Sequence, residues 1–245
     1  MSLHVNDSGT WKQAQEVHVN DGGTWKSCLD VYVNDGGSWK SALYESGSQN
    51  FTSTGSTTFT VPAGVTSLTA TVIGAGGGGG GADGGGDSHA GGSGGSGGYY
   101  QNQTISVTPN ETLSITVGEG GTHARWTFNG NNMCSTTHYN TSTGNKNGGS
   151  GGSSSISRGA SVLYEAGGGG GGYGSTSDNN DGSGGSAGSP NGTAGVRPHQ
   201  SRNSYSPNQG SSNGTGYGTG GDGNGTSGGN SCPSDGEDGA VLLTW

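Results

Sequence analysis

Residues 72–81 read Val-Ile-Gly-Ala-Gly-Gly-Gly-Gly-Gly-Gly, and residues 91–98 read Gly-Gly-Ser-Gly-Gly-Ser-Gly-Gly. A strand-like segment runs straight into unbroken glycine, and the next glycine block repeats every third residue. Three is the period of the polyproline II helix, not of an α-helix or a strand. The same texture returns in Gly148-Gly149-Ser150-Gly151-Gly152, in the run Gly167 to Gly172, and in triplets opened by Gly182, Gly185 and Gly188. Glycine supplies 59 of the 245 residues, so it is either flexible filler or the material of the fold.

Energetics set the condition for the second alternative. Ordering one backbone residue costs about 1–2 kcal/mol, and glycine lies at the high end. A folded glycine run must recover this through its own amides and carbonyls. A lone polyproline II helix has no internal hydrogen bonds. A bundle of such helices, parallel and antiparallel, can pair sideways and satisfy every buried N–H and C=O. Glycine permits the close approach, with weak Cα–H···O contacts added.

Composition narrows the choice. Apolar residues make up 24% of the chain and charged residues 10%, too few for an ordinary apolar core throughout. Low hydrophobicity points toward disorder, yet proline is 6 and Lys plus Arg only 8, unlike the usual disordered composition. Collagen is excluded by the scarce proline and the interrupted triplets. The net charge of −9 argues against sequence-independent nucleic-acid binding and against docking on anionic lipid. No apolar stretch reaches 18 residues, and Met-Ser-Leu-His-Val-Asn-Asp-Ser-Gly carries no apolar signal core. Synthesis in a cytosol without a signal peptide is therefore expected. Cys28, Cys134 and Cys232 are odd in number and far apart, which suggests neither a disulfide framework nor a zinc site. A Cys134–Cys232 bridge stays open as an alternative.

The first 45 residues repeat three times. Leu3-His4-Val5-Asn6-Asp7-Ser8-Gly9-Thr10-Trp11-Lys12 returns at Val17–Lys26 and again at Val31–Lys40, at a spacing of 14 residues. The unit suits a β-hairpin whose Asn-Asp-Gly-Gly segment supplies the positive φ of a tight turn. Trp11, Trp25 and Trp39 hold equivalent positions. They can form the small core of this segment. They can also create a pseudo-threefold surface that meets a symmetric partner, since Trp is a preferred interface anchor.

Strand patterns bracket the glycine. Phe59 and Val61, then Leu68, Ala70 and Val72, alternate with polar residues around a Pro62-Ala63-Gly64 turn. Ile105 and Val107, a Pro109-Asn110 turn, and Leu113, Ile115 and Val117 predict a hairpin. Val162 to Ala166 enters the run at Gly167, and Ala240 to Trp245 is a last strand. Together they predict a small sheet that aligns the glycine helices.

Between the runs lie segments of different character. His89 falls in 82–90; His123, Arg125, Trp126, Phe128, His138 and Tyr139 fall in 122–147. Tyr173 opens 173–181, and Arg197, His199, Arg202 and Tyr205 fall in 191–213. A rigid scaffold presenting aromatic and polar loops has the logic of a binding protein. Trp126 and Phe128 alternatively pack on the glycine layer. No nucleophile elbow, Walker loop or HExxH helix is present. The abundant GxGxxG matches open no helix and carry no meaning in this composition. No catalytic set, cofactor or metal site is expected.

Thr57-Phe59-Val61 through the run at Gly76, the closing Gly-Ala-Val-Leu-Leu-Thr-Trp (239–245) and the Val-Asn-Asp-Gly-Gly-Thr-Trp-Lys repeat carry a resemblance. Taken together, the chain resembles the distal long-tail-fibre adhesins of T-even-like bacteriophages. The resemblance implies a monomer that caps a trimeric fibre and carries a bundle, or sandwich, of polyglycine II helices anchored by short strands. It implies that distal loops bind a bacterial outer-membrane protein or glycan. The expected organisation is then a fibre-attachment domain over residues 1–46, of three β-hairpins, and a glycine-rich receptor-binding domain over residues 47–245. The 14-residue Trp repeat departs from the attachment segment of the best-known members. An ice-binding bundle of polyproline II helices is the alternative. It requires a flat, regular Thr-rich or Ala-rich face.

Overall fold

The computed structural model describes residues 4–7, 9–13, 18–28, 31–41, 46–81, 91–124, 147–174, 183–195, 210–223 and 233–245. Among these residues the protein is all-β, without a helix.

Each repeat forms one two-stranded antiparallel sheet. β1 (His4–Asp7) pairs β2 (Thr10–Gln13), β3 (His18–Asp21) pairs β4 (Thr24–Ser27), and β5 (Tyr32–Asp35) pairs β6 (Ser38–Ser41). The register is the same in all three: Asn6, Asn20 and Asn34 oppose Trp11, Trp25 and Trp39. Gly22 and Gly23 both have positive φ (60° and 89°), as a two-residue turn matched to strand twist requires. The Gly23 amide donates to Asn20 Oδ1 at 2.9 Å, and Gly37 donates to Asn34 Oδ1 at 2.9 Å. The Asn side chain thus closes the turn locally.

Residues 48–245 build two four-stranded sheets around one core. One has the order β10-β9-β14-β7, from β7 (Ser48–Phe51), β9 (Ser67–Ile73), β10 (Tyr99–Ser106) and β14 (Ala240–Thr244). The other has the order β13-β12-β11-β8, from β8 (Gly55–Thr60), β11 (Thr112–Val117), β12 (Ser154–Arg158) and β13 (Ser161–Ala166). Alternate residues point inward: Leu68, Ala70 and Val72 of β9 meet Phe59, Leu113, Ile115 and Ile156 in the core. The outward positions are mostly Ser and Thr, as a half-solvated sheet requires.

One expected turn and one expected hairpin are corrected. The strands flanking Pro62-Ala63-Gly64 do not pair with each other; β8 and β9 lie in different sheets. The same holds for the strands flanking Pro109-Asn110, because β10 pairs β9 while β11 pairs β8 and β12. Both connections are arches that cross the core. Val61 and Val65 are buried, so the linking segment itself fills the end of the sandwich. The two arches lie side by side, with Val61 N–H donating to Glu111 O at 2.9 Å and Val107 N–H to Thr66 O at 2.9 Å. Local alternation could not distinguish hairpin from arch, because both place the same residues inward.

Six of these strands continue into or out of glycine-rich runs at one end of the sandwich. Residues 74–81 follow β9, 118–124 follow β11 and 167–173 follow β13, while 91–98, 148–152 and 233–239 lead into β10, β12 and β14. Every amide from Gly74 to Gly80 donates, at 2.8–3.0 Å, cycling through three neighbours. Gly74, Gly77 and Gly80 donate to Gly98, Gly95 and Gly92; Ala75 and Gly78 to Gly152 and Gly149; Gly76 and Gly79 to Glu237 and Ser234. The carbonyls follow the same three-residue step: Ala75 and Gly78 accept from Gly169 and Gly172, Gly76 and Gly79 from Gly121 and Ala124, and Gly77 from Gly221. The residue numbers of the acceptors fall as those of the donors rise in the first set, and the numbers rise together in the second. Residues 74–81 therefore have three antiparallel and three parallel neighbours.

This close approach is why the runs are glycine. A Cβ on Gly76, Gly77, Gly78 or Gly79 would meet a backbone carbonyl oxygen of Thr219, Gly170, Thr122 or Asp222 at less than 3.0 Å. Backbone atoms held in such a network cannot step aside. Serine occurs where room and a partner exist: Ser93 and Ser96 are fully buried, and Ser96 Oγ accepts from Thr193 N–H at 2.8 Å.

Candidate functional site

The direction of each run decides what stands at the two ends of the domain. Runs 74–81, 118–124 and 167–173 lead away from the sandwich; 91–98, 148–152 and 233–239 return to it. The gaps 82–90, 125–146, 175–182 and 224–232 are each bridged by a bond between their own flanks. Gly80 N–H donates to Gly92 O, Gly149 to Thr122 O, Tyr173 to Ser183 O, and Ser234 to Asp222 O, at 2.7–3.1 Å. The gap 196–209 is bridged by Ser211 Oγ, which donates to Thr193 O at 2.9 Å. Cross-links join these flanks to one another: Gly92 to Tyr173 O, Gly148 to Gly172 O and Ala124 to Gly79 O. All five stretches thus depart from and return to one end of the glycine layer, remote from the arches.

Side chains finish the hydrogen-bond pattern at this end. Asp235 Oδ1 accepts from the His123 amide and meets His123 Nδ1, both at 2.6 Å. Asp222 Oδ1 accepts from the Gly210 amide at 2.6 Å, and the Asp222 amide donates to Ser234 Oγ at 2.8 Å. Asn147 Oδ1 accepts from the Gly174 amide at 2.9 Å. These groups act as helix caps do: where the backbone lattice stops, a short polar side chain takes the next bond. Asn147 and Asp222 were not singled out in the sequence. Their signal is an Asx residue at the boundary of a glycine run.

Tyr173 stands among these flanks. Its amide and carbonyl both belong to the lattice, while the residue is 53% exposed. The backbone is pinned and the ring faces solvent. Of the expected binding residues, Tyr173 and His123 are described, and both lie at this end; His123 is held by Asp235 and its side chain is only 14% exposed. His89, Arg125, Trp126, Phe128, His138, Tyr139, Arg197, His199, Arg202 and Tyr205 lie outside the described residues, as do Cys134 and Cys232.

The opposite end receives the repeats. Ser48 pairs Thr244, and Gly47 and Trp245 exchange backbone hydrogen bonds, so the chain enters beside the arches. Arg158 lies there too, its guanidinium bonding Glu111 at 2.9 and 3.2 Å and Ser106 O at 2.6 Å. In the repeats, Trp25 is 69% exposed and therefore does not form a buried core of its hairpin. Among the described residues, no three His, Cys, Asp or Glu stand together as metal ligands. No described helix is long and apolar enough to cross a membrane.

The family profile described as a glycine-rich domain matches residues 52–245, and the chain belongs to that family. A comparison with curated proteins finds no match.

Proposed function

We propose that this glycine-rich-domain protein is the tip adhesin of a bacteriophage tail fibre. Residues 47–245 form a polyglycine II sandwich whose five distal connections bind a protein or glycan of the bacterial outer membrane. Residues 1–46 attach the chain to a trimeric fibre protein of the same virion. The protein is a binding module of the virion and not an enzyme, and it needs no cofactor.

The observation that supports this is the polarity of the domain. Five connections share one end, two of them (125–146 and 196–209) rich in aromatic, His and Arg residues, and the Trp-bearing repeats enter at the other. An adhesin needs that separation, because attachment and recognition must proceed without obstructing each other. The three-residue hydrogen-bond step around residues 74–81 supports the polyglycine II assignment, since polyproline II geometry has three residues per turn. A test is to incubate the purified chain with outer-membrane extracts and intact cells of candidate hosts, and with the fibre protein of the same virion. Saturable binding to cells, with separate capture by the fibre, is the expected result. Failure of both, or thermal hysteresis in dilute solution, would replace this reading with the ice-binding one.

A further inference from the structure

We infer that the three N-terminal hairpins are independent docking modules, each engaging one of three equivalent sites on a threefold-symmetric partner. This rests on the attachment role proposed above and goes beyond it by specifying how attachment is divided.

Four observations carry it. The hairpins are three separate two-stranded sheets, and no strand of one pairs with a strand of another. Their registers are the same, with Trp at the same position in each, and the second and third turns match at both glycines. An isolated two-stranded hairpin is marginal in water. Finally, the middle hairpin carries exposed apolar groups on both faces: Trp25 shares a face with Asn20, while Val19 shares the other with Lys26, and their exposures are 69% and 52%. A module of this kind gains its missing burial from a partner.

Three copies of one surface are used fully only by a partner that repeats the complementary surface three times, which a homotrimer does. The spacing is compatible with one such partner. From Gln13 to His18, and again from Ser27 to Tyr32, the chain has five Cα steps. Five steps reach roughly 17 Å at most. Neighbouring sites on the partner must therefore have near edges within that distance, as sites around the tip of a slender trimer do. The connections make the second and third contacts intramolecular, so overall affinity far exceeds that of one hairpin.

The test uses the full chain with Trp11→Ala, Trp25→Ala and Trp39→Ala, singly, in pairs and together. Binding to the immobilised trimeric fibre protein of the same virion is expected to fall in similar steps, each roughly 10²-fold in apparent affinity. One substitution that removes all binding while the other two have no effect would overturn the division into modules and leave fibre attachment standing. An arm without the fibre separates the two ideas. In Trp25→Ala the indole N–H resonances of Trp11 and Trp39 are expected to stay in place. Their displacement would show one packed unit and overturn the inference whatever the fibre does. Absence of binding by the unaltered chain would overturn both.

Discussion

The amide of Gly77 donates to the carbonyl of Gly95 at 2.9 Å, and the Gly95 amide passes the pattern on to Gly170 at 2.9 Å. A Cβ on Gly77 would fall less than 3.0 Å from the Gly170 carbonyl oxygen. Three runs are thus locked at one level, and the lock has no space for a methyl group. Gly77→Ala is expected to cost about 3 kcal/mol, the upper part of the usual overpacking range. In a domain of this size that lowers Tm by roughly 6–12 °C. Thr58→Ala, on the exposed face of β8, serves as the control and is expected to stay within about 0.5 kcal/mol. Calorimetry distinguishes them; equal Tm values would show that the lattice can breathe.

Asp235 ends the lattice beside His123, accepting from its amide at 2.6 Å. Asp235→Ala removes this cap and is expected to destabilise by about 1 kcal/mol, the scale of one net hydrogen bond. The effect should be local. Amide exchange should accelerate at His123 and Ala124, while Gly74, at the sandwich side of the same layer, keeps its protection. Uniform acceleration across the domain would contradict a capping role.

Tyr173 is anchored by its backbone and exposed by its ring. Tyr173→Ala is expected to leave Tm within about 0.5 kcal/mol of equivalent stability and to weaken cell binding, because a rigid exposed aromatic is a preferred anchor. Binding isotherms on host cells report this. Unaltered binding would remove Tyr173 from the contact surface.

Trp126 and Tyr205 occur on two of the five distal connections. Replacing both by Ala is expected to abolish adsorption to host cells and to preserve capture by the fibre protein. Trp25→Ala is the converse: fibre capture weakens, and the melting of the glycine-rich domain is unchanged. The two variants assayed side by side would dissociate recognition from attachment. A variant that loses both activities without unfolding would refute the polarity.

Much of the fold was legible because its signals are local. The Asn-Asp-Gly-Gly turns predicted the hairpins, since positive φ at Gly22 and Gly23 is a property of two residues. The alternation of Leu68, Ala70 and Val72 predicted β9 in the same way. What escaped was pairing, together with the polar strands β7 and β12, whose Ser-rich sequences carry little alternation. Pro62-Ala63-Gly64 looked like a simple turn, yet the flanking Val61 and Val65 are buried and carry the chain across the core. Nothing within that segment says which sheet receives the next strand. Of the residues at the distal end, Tyr173 and His123 were singled out from their position beside glycine runs, whereas Asn147 and Asp222 were missed because a cap is recognised only by the amide it meets.

The sequence by itself determined that glycine is structural material, where six of the eight sandwich strands lie and that the N-terminus is a threefold repeat, because period, turn chemistry and alternation act over a few residues. The tertiary structure alone decided that residues 74–81 have six neighbours, that an apparent turn and an apparent hairpin are both arches, and that five connections share one end. Glycine runs carry no side chains to specify a partner. Their partners are chosen by the directions in which the strands of the sandwich deliver them, and those directions follow from burying one apolar core.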